Sequence, residues 1–574
     1  MDEHKMTGFA SIDKPWLKYY TEEAINAEPP HCTVYEYLRE NNKEHLSDVA
    51  IEYFGRKISY KRLFEYIDRT AAAFAALGVR KGDIVSLVML NSPETICAIY
   101  ALNKLGAICN IIEPRTNNEL IVKRINDTRS KAVIVHDFFK SKLKGFDLCV
   151  SFVVVVSLKQ SMPFLTKLGY EYKVGRKISD CNLKCREIDW PEFLMHNAKT
   201  AVAKYSADTS AIIIYTGGTT GISKGAMLSN DALNNIVVHQ KSSNPCMVRG
   251  DTFLDIMPPF IAYGLACGVH IPLCVGMKSI LIPNFAPSDF GKLIKKYRPN
   301  HVLGVPAFWA SLENDSSMHG HDLSYLKSAI TGGDRINAET EKAINSFLLE
   351  HNSQVMITKG YGMTEACSSV TFTSTPENNK IESVGIPQVH NNFKVVDVDT
   401  NKELRYNEVG EICFTGPTMM VGYFNDSEET ENIIKTHADG RKWIHSHDIG
   451  YIDEDGVVFI IDRIKRMLIR PDGHNVWPSQ IESVICSHPA VAQCSVVGQK
   501  VDSSISGVLP AAFVVVKGEY EHERLEQELI SLNFEMLPER DTAQYYHFVD
   551  ALPLTPVGKV DYRRLEEMAN KAGD

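Results

Sequence analysis

The segment from Tyr215 to Gly225 has the residue types of a phosphate-binding loop. Its candidate binding residues are Thr216, Gly217, Gly218, Thr219, Thr220, Gly221 and Lys224. Glycines let backbone N–H groups turn toward an anion, threonine hydroxyls add donors, and lysine adds a positive charge. The alternative is a flexible turn that binds nothing. A Walker A loop is not expected, because Lys224 is followed by Gly225 and not by serine or threonine.

A second motif places a carboxylate where it could serve a phosphate site. The strand-like run 355–358 is followed by Tyr361, Gly362, Met363, Thr364 and Glu365. Magnesium prefers oxygen ligands and keeps several waters, so Glu365 is a candidate magnesium ligand. A Thr-Glu pair is also typical of a helix N-terminus. The presence of the phosphate loop favours the magnesium interpretation.

These two motifs resemble those of the adenylate-forming superfamily, which contains acyl-CoA synthetases, non-ribosomal adenylation domains and firefly luciferases. The loop is similar to the family pattern Tyr-Thr-Ser/Gly-Gly-Thr-Thr-Gly-x-Pro-Lys-Gly, with Ser223 in place of proline. The second motif is similar to Tyr-Gly-x-Thr-Glu. Further motifs resemble the family's in the same order over roughly residues 30 to 570.

The resemblance implies a role for each matching residue around ATP. The loop is expected to hold the β- and γ-phosphates, Thr364 the α-phosphate and Glu365 the magnesium ion. Tyr361 is expected to stack on adenine, while Asp448 and Arg463 contact the ribose. The other implied nucleotide contacts are Gly332, Gly333, Asp334 and Gly362.

The C-terminal part of the resemblance implies a mobile lid. Lys559 stands in a segment similar to Pro-x-Thr-x-x-Gly-Lys. Carboxylate attack on the α-phosphate brings two anions together, so a lysine between them would stabilise the developing charge. Lys465 stands at the family's hinge, about which the small domain rotates. The implied cofactors and partners are ATP, Mg²⁺, coenzyme A and a carboxylic acid substrate; nucleic acid is not expected, and the oligomeric state stays open between monomer and homodimer.

Two segments depart from the family pattern. Ile261 occupies a position that is often histidine beside the acyl pocket. An apolar side chain there favours a hydrophobic acid, because burying an unpaired polar group costs free energy. The predicted acyl-pocket residues are Ile261, Tyr263, Gly304, Val305 and Met363. Near the predicted CoA tunnel, Pro471 and Asp472 precede the single Gly473, where many CoA ligases have two glycines.

The leading interpretation is therefore an AMP-forming acyl-CoA synthetase for a medium-chain, long-chain or otherwise apolar acid. The nearest alternative is an acyl-AMP ligase that loads a carrier protein. A luciferase-like oxidase and a non-catalytic nucleotide-binding regulator are further alternatives. Such a regulator would be expected to lack Lys559, Glu365 or Asp448, and all three are present.

The elements between the motifs predict an α/β fold. Amphipathic helices such as 60–77 and 93–105 alternate with apolar strands such as 83–88 and 211–215. With 574 residues the chain is too long for one core. We predict a large multi-layered N-terminal AMP-binding domain, 1–463, and a small mobile C-terminal α+β domain, 464–574.

Composition limits the other functional classes. The net charge of −10 gives no general attraction for nucleic acid or anionic lipid. The thirteen scattered cysteines, for example Cys97, Cys149 and Cys413, are expected to be small buried hydrophobes in a reducing compartment. The charged N-terminus predicts no secretory signal, so we expect a cytoplasmic protein. The segment 164–177 mixes aromatic and basic residues, which fits a solvated surface element or a weak membrane contact.

Zinc sites are not expected from the sequence. Cys181 and Cys185 have no second pair at metal-ligand spacing. His445 and His447 alternate as residues on one strand face do, but no further ligand is identifiable in the sequence.

Overall fold

The computed structural model describes residues 6–173, 181–207, 209–217, 223–472, 474–501, 507–555 and 559–572. Two large parallel sheets, a third antiparallel sheet and a smaller C-terminal unit make up the fold. The predicted α/β class, with a large N-terminal part and a smaller C-terminal part, is confirmed.

The first sheet has eight strands and holds the phosphate loop at one strand end. From edge to edge its strands are Gly422–Tyr423, Gly225–Ser229, Ser210–Tyr215, Ile108–Ile111, Ile84–Val88, Ala132–His136, Phe152–Val156 and Glu187–Asp189. The last six run parallel, and the first two are antiparallel to their neighbours. Parallel strands buried on both faces explain runs such as Ile212-Ile213-Ile214.

The second sheet has seven strands and ends at the motif that contains Glu365. In order, its strands are Ile357–Gly360, Ser328–Gly332, His301–Gly304, Thr252–Asp255, Lys278–Leu281, Val49–Tyr53 and Arg56–Ser59. All neighbours are parallel except the last pair. One continuous hydrophobic core joins the first two sheets and the helices between them.

The third sheet is antiparallel and carries Asp448 and Arg463. Its strands are Asn392–Val396, Gly410–Thr415, Lys442–Ile452, Ile434–Thr436 and Val458–Arg463. Short two-stranded pairs join the second sheet to the third; they are Gly362–Met363 with Ser368–Ser369, and Thr371–Phe372 with Ile386–Pro387.

The C-terminal part has hydrophobic clusters of its own between Leu468 and Ala569. Its three-stranded sheet consists of Val491–Gln499, Leu509–Val516 and Tyr545–Phe548. A small hairpin pairs Leu468–Ile469 with Asn475–Val476. The helices Pro478–Cys486, His522–Met536 and Tyr562–Ala572 complete this part.

The helices of the larger part begin where the sequence provides caps. Ser92 accepts a hydrogen bond from the Thr95 N–H, and Pro93 stands at the first helical position. The main helices are Val34–Asn42, Tyr60–Ala76, Pro93–Leu105, Asn118–Asp127, Phe164–Lys173, Asn230–Ser243, Phe290–Tyr297, Ala338–Glu350 and Ser427–Ile433, with a π-helix at Tyr263–His270. Among the described helices, none combines the length and the apolar character needed to cross a bilayer.

Two expectations change in the structure. Cys97 and Cys413 are buried as predicted, but Cys149 is exposed, because it precedes the strand Phe152–Val156 instead of lying inside it. The described part of the segment 164–177 is the helix Phe164–Lys173; residues 174–177 lie outside the described residues. Phe164, Leu165 and Leu168 on this helix are exposed.

Candidate active site

A cavity of about 860 Å³ lies where several parallel strands end. Carboxyl ends of parallel strands meet at one edge of a sheet, and ligands bind in the crevice outside them. Residues that follow these strands line the cavity: Gly217 after Ser210–Tyr215, Gly333 after Ser328–Gly332, and Tyr361 after Ile357–Gly360. These three motifs therefore converge because each follows a strand of one of the two sheets.

Tyr361 lines this cavity and forms one connected group with Asp448 and Arg463, which do not line it. The Tyr361 hydroxyl donates to Asp448 Oδ2 at 2.5 Å, and Arg463 Nε lies 2.9 Å from Asp448 Oδ1. Burial, followed by the Asp448 carboxylate, raises the pKa of Tyr361, so its hydroxyl stays protonated and donates. Asp448 and Arg463 stand opposite each other on neighbouring strands of the third sheet. An ionised carboxylate held in this way is a suitable acceptor for vicinal hydroxyls.

Glu365 is a buried carboxylate beside the predicted phosphate loop. The Tyr423 hydroxyl donates to Glu365 Oε1 at 2.5 Å. Burial raises the pKa of Glu365, against the hydrogen bond from Tyr423 and the charges of Arg463 and Lys224. Among the described residues, no lysine or arginine forms a salt bridge with it. A buried carboxylate with one hydroxyl donor and no paired cation fits a magnesium ligand. Thr364–Ala366 forms a short 3₁₀ helix in which Thr364 is not the cap, so the capping alternative does not apply.

The described ends of the phosphate loop are tied together. The Thr216 N–H donates to the Lys224 carbonyl at 2.9 Å, and the Lys224 N–H donates to Thr216 Oγ1 at 3.1 Å. Lys224 Nζ forms a salt bridge with Glu429 and lies 5.1 Å from the Tyr423 ring centroid. Tyr423 thus contacts both the loop lysine and Glu365. Of the other predicted loop residues, Gly218, Thr219, Thr220 and Gly221 lie outside the described residues.

Lys559 reaches the same cavity from the C-terminal part. A Cβ placed on Gly333 would lie 3.8 Å from Lys559 Cε, and both residues line the cavity. Burial lowers the pKa of Lys559, and the nearby Asp334 carboxylate opposes this shift. Burial likewise raises the pKa of Asp334, with Lys559 opposing. Lys559 is thus a cation next to the nucleotide motifs, with the Asp334 carboxylate nearby.

The remaining cavity wall is largely apolar. Of the predicted acyl-pocket residues, Ile261, Tyr263, Val305 and Met363 line it. Gly304 is not part of the lining; its carbonyl accepts a hydrogen bond from the Tyr263 hydroxyl at 3.1 Å. Further lining residues that the sequence did not single out are Met247, Phe253, Met257, Cys267, Leu303, Ile330 and Phe372, together with the polar Gln240.

The predicted hinge residue lies between two anchored arginines. Arg463 pairs with Asp448 of the larger part, and Arg466 pairs with Glu482 of the C-terminal part at 2.6 Å and with Asp462 of the larger part at 3.4 Å. Lys465 is exposed between them. Gly473 lies outside the described residues, and no described residue of 470–478 lines the cavity.

Some contacts at the site have no signal in the sequence. Arg335 donates to the Ser479 carbonyl at 3.2 Å and to Ser483 Oγ at 3.1 Å, so it bridges the two parts of the chain. Tyr423 and Glu429 are likewise far in sequence from the residues that they contact. Arg335 could have been suspected because it follows Asp334 directly, but nothing in the sequence pairs Tyr423 with Glu365.

Comparison with known proteins identifies the family of the chain. An AMP-binding enzyme model matches residues 38–424, and an AMP-binding enzyme C-terminal domain model matches residues 480–559. A long-chain-fatty-acid–CoA ligase of Bacillus subtilis is 28% identical over 566 residues, covering 96% of this chain and 98% of the relative. The 4-coumarate–CoA ligase CCL1 of Humulus lupulus is 29% identical, covering 93% of each chain.

Solved structures show the same fold. ATP-bound MatB from Rhodopseudomonas palustris has a TM-score of 0.77 at 23% identity, covering 95% of this chain and 100% of that one. The anthranilate CoA ligase AuaEII in complex with anthranoyl-AMP has a TM-score of 0.79 at 22% identity, covering 95% and 98%. Since the first family model alone matches well over half of the residues, the chain belongs to the family of AMP-binding enzymes.

Proposed function

We propose that the protein is an AMP-forming acid–CoA ligase that activates a hydrophobic carboxylic acid. The observation that carries this proposal is the placement of Lys559 in one cavity with the nucleotide motifs and an apolar wall. Residues of the nucleotide motifs line one part of the cavity, and the apolar side chains of Ile261, Val305 and Met363 also line it. The CoA ligases among the relatives support the thioester step.

In the first step a carboxylate oxygen attacks the α-phosphorus. A new P–O bond forms, the bond to the β-phosphate oxygen breaks, and pyrophosphate leaves. Protonated Lys559 holds the two anionic reactants together, while Asp448 and Arg463 orient the ribose. Glu365 would hold magnesium, which neutralises phosphate charge when bound. Thr364 is the proposed α-phosphate contact, and Tyr361 and Gly362 line the adenine side.

In the second step the CoA thiol releases its proton to solvent, its sulfur forms a bond to the acyl carbonyl carbon, the bond from that carbon to the AMP phosphate oxygen breaks, and AMP leaves. Lys559 lines the cavity in the structure, and we propose that the thiol enters after the C-terminal part has moved. The proposed pivot is Lys465, which is exposed between Arg463, paired with Asp448, and Arg466, paired with Glu482 and Asp462. The boundary between domains accordingly lies at residues 463 and 464.

The acid is proposed to be a medium- or long-chain fatty acid or another apolar acid. Ile261, Val305 and Met363 offer no hydrogen-bonding side chain to a polar substituent. A free fatty acid would gain about 0.8 kcal/mol for each methylene that the wall removes from water. The free energy gained on binding the acid should therefore rise with chain length until the cavity is full.

ATP–pyrophosphate exchange with acids of increasing length, from acetate to long-chain and aromatic acids, tests the acid specificity. We expect kcat/KM to rise with apolar surface and then fall. Val305→Phe should shorten the preferred chain, whereas the exposed Val409→Phe should leave the preference unchanged. A preference for acetate or for polar acids would contradict the proposal.

A labelled acid then identifies the acceptor. Release of labelled thioester that requires free CoA supports the ligase, and its absence despite normal pyrophosphate exchange would favour a carrier-protein-loading enzyme.

A further inference from the structure

The third sheet carries a group of potential metal ligands away from the active-site cavity. Glu411, Cys413 and His445 each offer a ligand atom, and these three atoms lie within 4.8 Å of one another. All three residues are buried, and none lines the cavity. His437 adds a fourth side chain, since its Nε2 lies 2.9 Å from Nε2 of His445.

Sheet geometry brings these side chains to one face. Cys413 stands directly opposite His445 in the antiparallel pairing, so their side chains lie on the same side of the sheet. His437 follows the edge strand Ile434–Thr436 and reaches back to His445. His447 does not share this face in the way that simple alternation predicts, because its backbone adopts a left-handed conformation with φ of 57°.

Glu411 fixes the orientation of His445. His445 Nδ1 lies 2.7 Å from Glu411 Oε2, and the His447 N–H donates to the other carboxylate oxygen at 3.0 Å. In this contact the Nδ1–H of His445 donates to the carboxylate, so Nε2 is the ring nitrogen that faces His437.

We propose that Cys413, His437 and His445 bind a transition metal ion of the Zn²⁺ class, with Glu411 orienting His445. Imidazole and thiolate are the ligands preferred by zinc, cobalt and related ions. A metal-bound histidine usually donates its second ring N–H to a carboxylate, which is the arrangement of His445 and Glu411. Three protein ligands leave a fourth tetrahedral position for water.

The distance between the two histidine nitrogens needs only a small adjustment. With bonds of about 2.0–2.1 Å, two nitrogens on a tetrahedral zinc ion lie about 3.3 Å apart. The observed 2.9 Å therefore has to widen by a few tenths of an ångström. His437 is the half-exposed member, on a turn, so it can make this movement.

The surrounding charges have opposing effects. Lys394 is opposite Cys413 on the neighbouring strand, and its Nζ lies 3.8 Å from the Trp443 ring centroid. Burial and then the Glu411 charge raise the pKa of the Cys413 thiol, whereas the charges of Lys394 and Lys435 oppose this rise but repel a divalent cation. Glu411 supplies a compensating negative charge. The thiol proton is released to solvent when the metal binds, so binding should strengthen as pH rises.

The position implies a structural role. His445 and Asp448 belong to the same strand, Lys442–Ile452, and that strand presents Asp448 to Arg463. A metal that joins this strand to Gly410–Thr415 and to His437 would hold its position. The site does not depend on the identity of the acid substrate.

The test uses the full-length protein, stripped of metal with a chelator and titrated with Co²⁺ or Zn²⁺ in the absence of ATP. We expect one metal ion per chain by elemental analysis and a thiolate-to-cobalt charge-transfer band. Cys413→Ser should abolish that band, and His437→Gln should weaken binding by at least about tenfold. Zn²⁺ should raise the Tm of the wild-type protein but not that of His437→Gln.

Matched controls are available on the same chain. Cys149→Ser and His319→Gln change exposed residues and should retain stoichiometric binding. Glu365→Gln should also retain it, which separates this site from the proposed magnesium ligand. Absence of a bound metal in the wild-type protein, or equal binding by His437→Gln and Cys413→Ser, would overturn the proposal and leave His437 and His445 as a hydrogen-bonded pair.

Discussion

Arg463 Nε lies 2.9 Å from Asp448 Oδ1, and the two residues are direct partners of adjacent antiparallel strands. The other carboxylate oxygen of Asp448, Oδ2, accepts a hydrogen bond from the Tyr361 hydroxyl. Tyr361 and Arg463 thereby hold the Asp448 carboxylate in place from two sides. This group and its neighbours lead to five predictions.

Asp448→Asn should weaken ATP binding. The substitution keeps the size of the side chain but removes the charge that binds Arg463 and accepts hydroxyl donors. Hydrogen bonds to charged groups contribute about 1.5–3 kcal/mol, so KM for ATP should rise by about 10- to 100-fold. ATP–pyrophosphate exchange at saturating acid measures the change. Asp455→Asn also removes a paired carboxylate, but one that pairs with Lys18 and Lys380 and not with Arg463, and it should leave this KM unaltered.

Lys559→Ala should abolish acyl-adenylate formation but spare the thioester step. Loss of one group that stabilises developing charge typically costs about 10²- to 10³-fold in rate. Pyrophosphate release from acid plus ATP measures the first step, and thioester formation from supplied acyl-adenylate measures the second. Equal loss of both steps would contradict the proposed role.

Lys559 should also make the rate of adenylation fall at alkaline pH. The first step needs protonated Lys559, whose pKa burial lowers from its ordinary value of 10.5. The rate of adenylation should therefore fall as pH rises, beginning below pH 10.5. Lys559→Arg keeps a cation at all accessible pH values and should remove this alkaline limb from kcat/KM, whatever its effect on the maximal rate.

Tyr423→Phe should shift the acidic side of the pH–activity profile to higher pH. Glu365 must be ionised to hold magnesium, and the Tyr423 hydroxyl favours the ionised form. Without that donor the pKa of Glu365 rises further, so activity is lost sooner as pH falls. The pH profile of pyrophosphate exchange, measured at limiting Mg²⁺, reports the shift. Tyr406→Phe, whose hydroxyl donates to Asp13 away from the site, should leave the profile in place.

Gly362→Ala should destabilise the protein. A Cβ at this position would lie 1.5 Å from the Ser368 carbonyl oxygen, so the Gly362–Met363 pairing with Ser368–Ser369 has to open. We expect a loss of roughly 1–3 kcal/mol, the range of overpacked interiors, together with loss of ATP binding. Urea unfolding measures the first effect. Gly169→Ala adds a Cβ in open space on a helix and should be neutral or stabilising by up to about 1 kcal/mol; comparable loss in both variants would refute the steric explanation.

The sequence by itself determined the α/β class, the strands such as Ser210–Tyr215, and the motif residues that follow them. These features depend on local composition: apolar runs form buried strands, and a Gly/Thr-rich segment suits an anion. They needed no knowledge of distant contacts. The helix Pro93–Leu105 was likewise readable from its cap and its first-turn proline.

Only the tertiary structure decided which groups meet. The contact of Tyr423 with Glu365, the salt bridge of Lys224 with Glu429, and the bridge from Arg335 to Ser483 join segments that no local pattern relates. The cluster of Cys413, His437 and His445 was hidden for the same reason, because cross-strand register and not sequence spacing brings its members together. Side-chain neighbours across sheets and domains are fixed by packing of the whole chain, and that information is non-local.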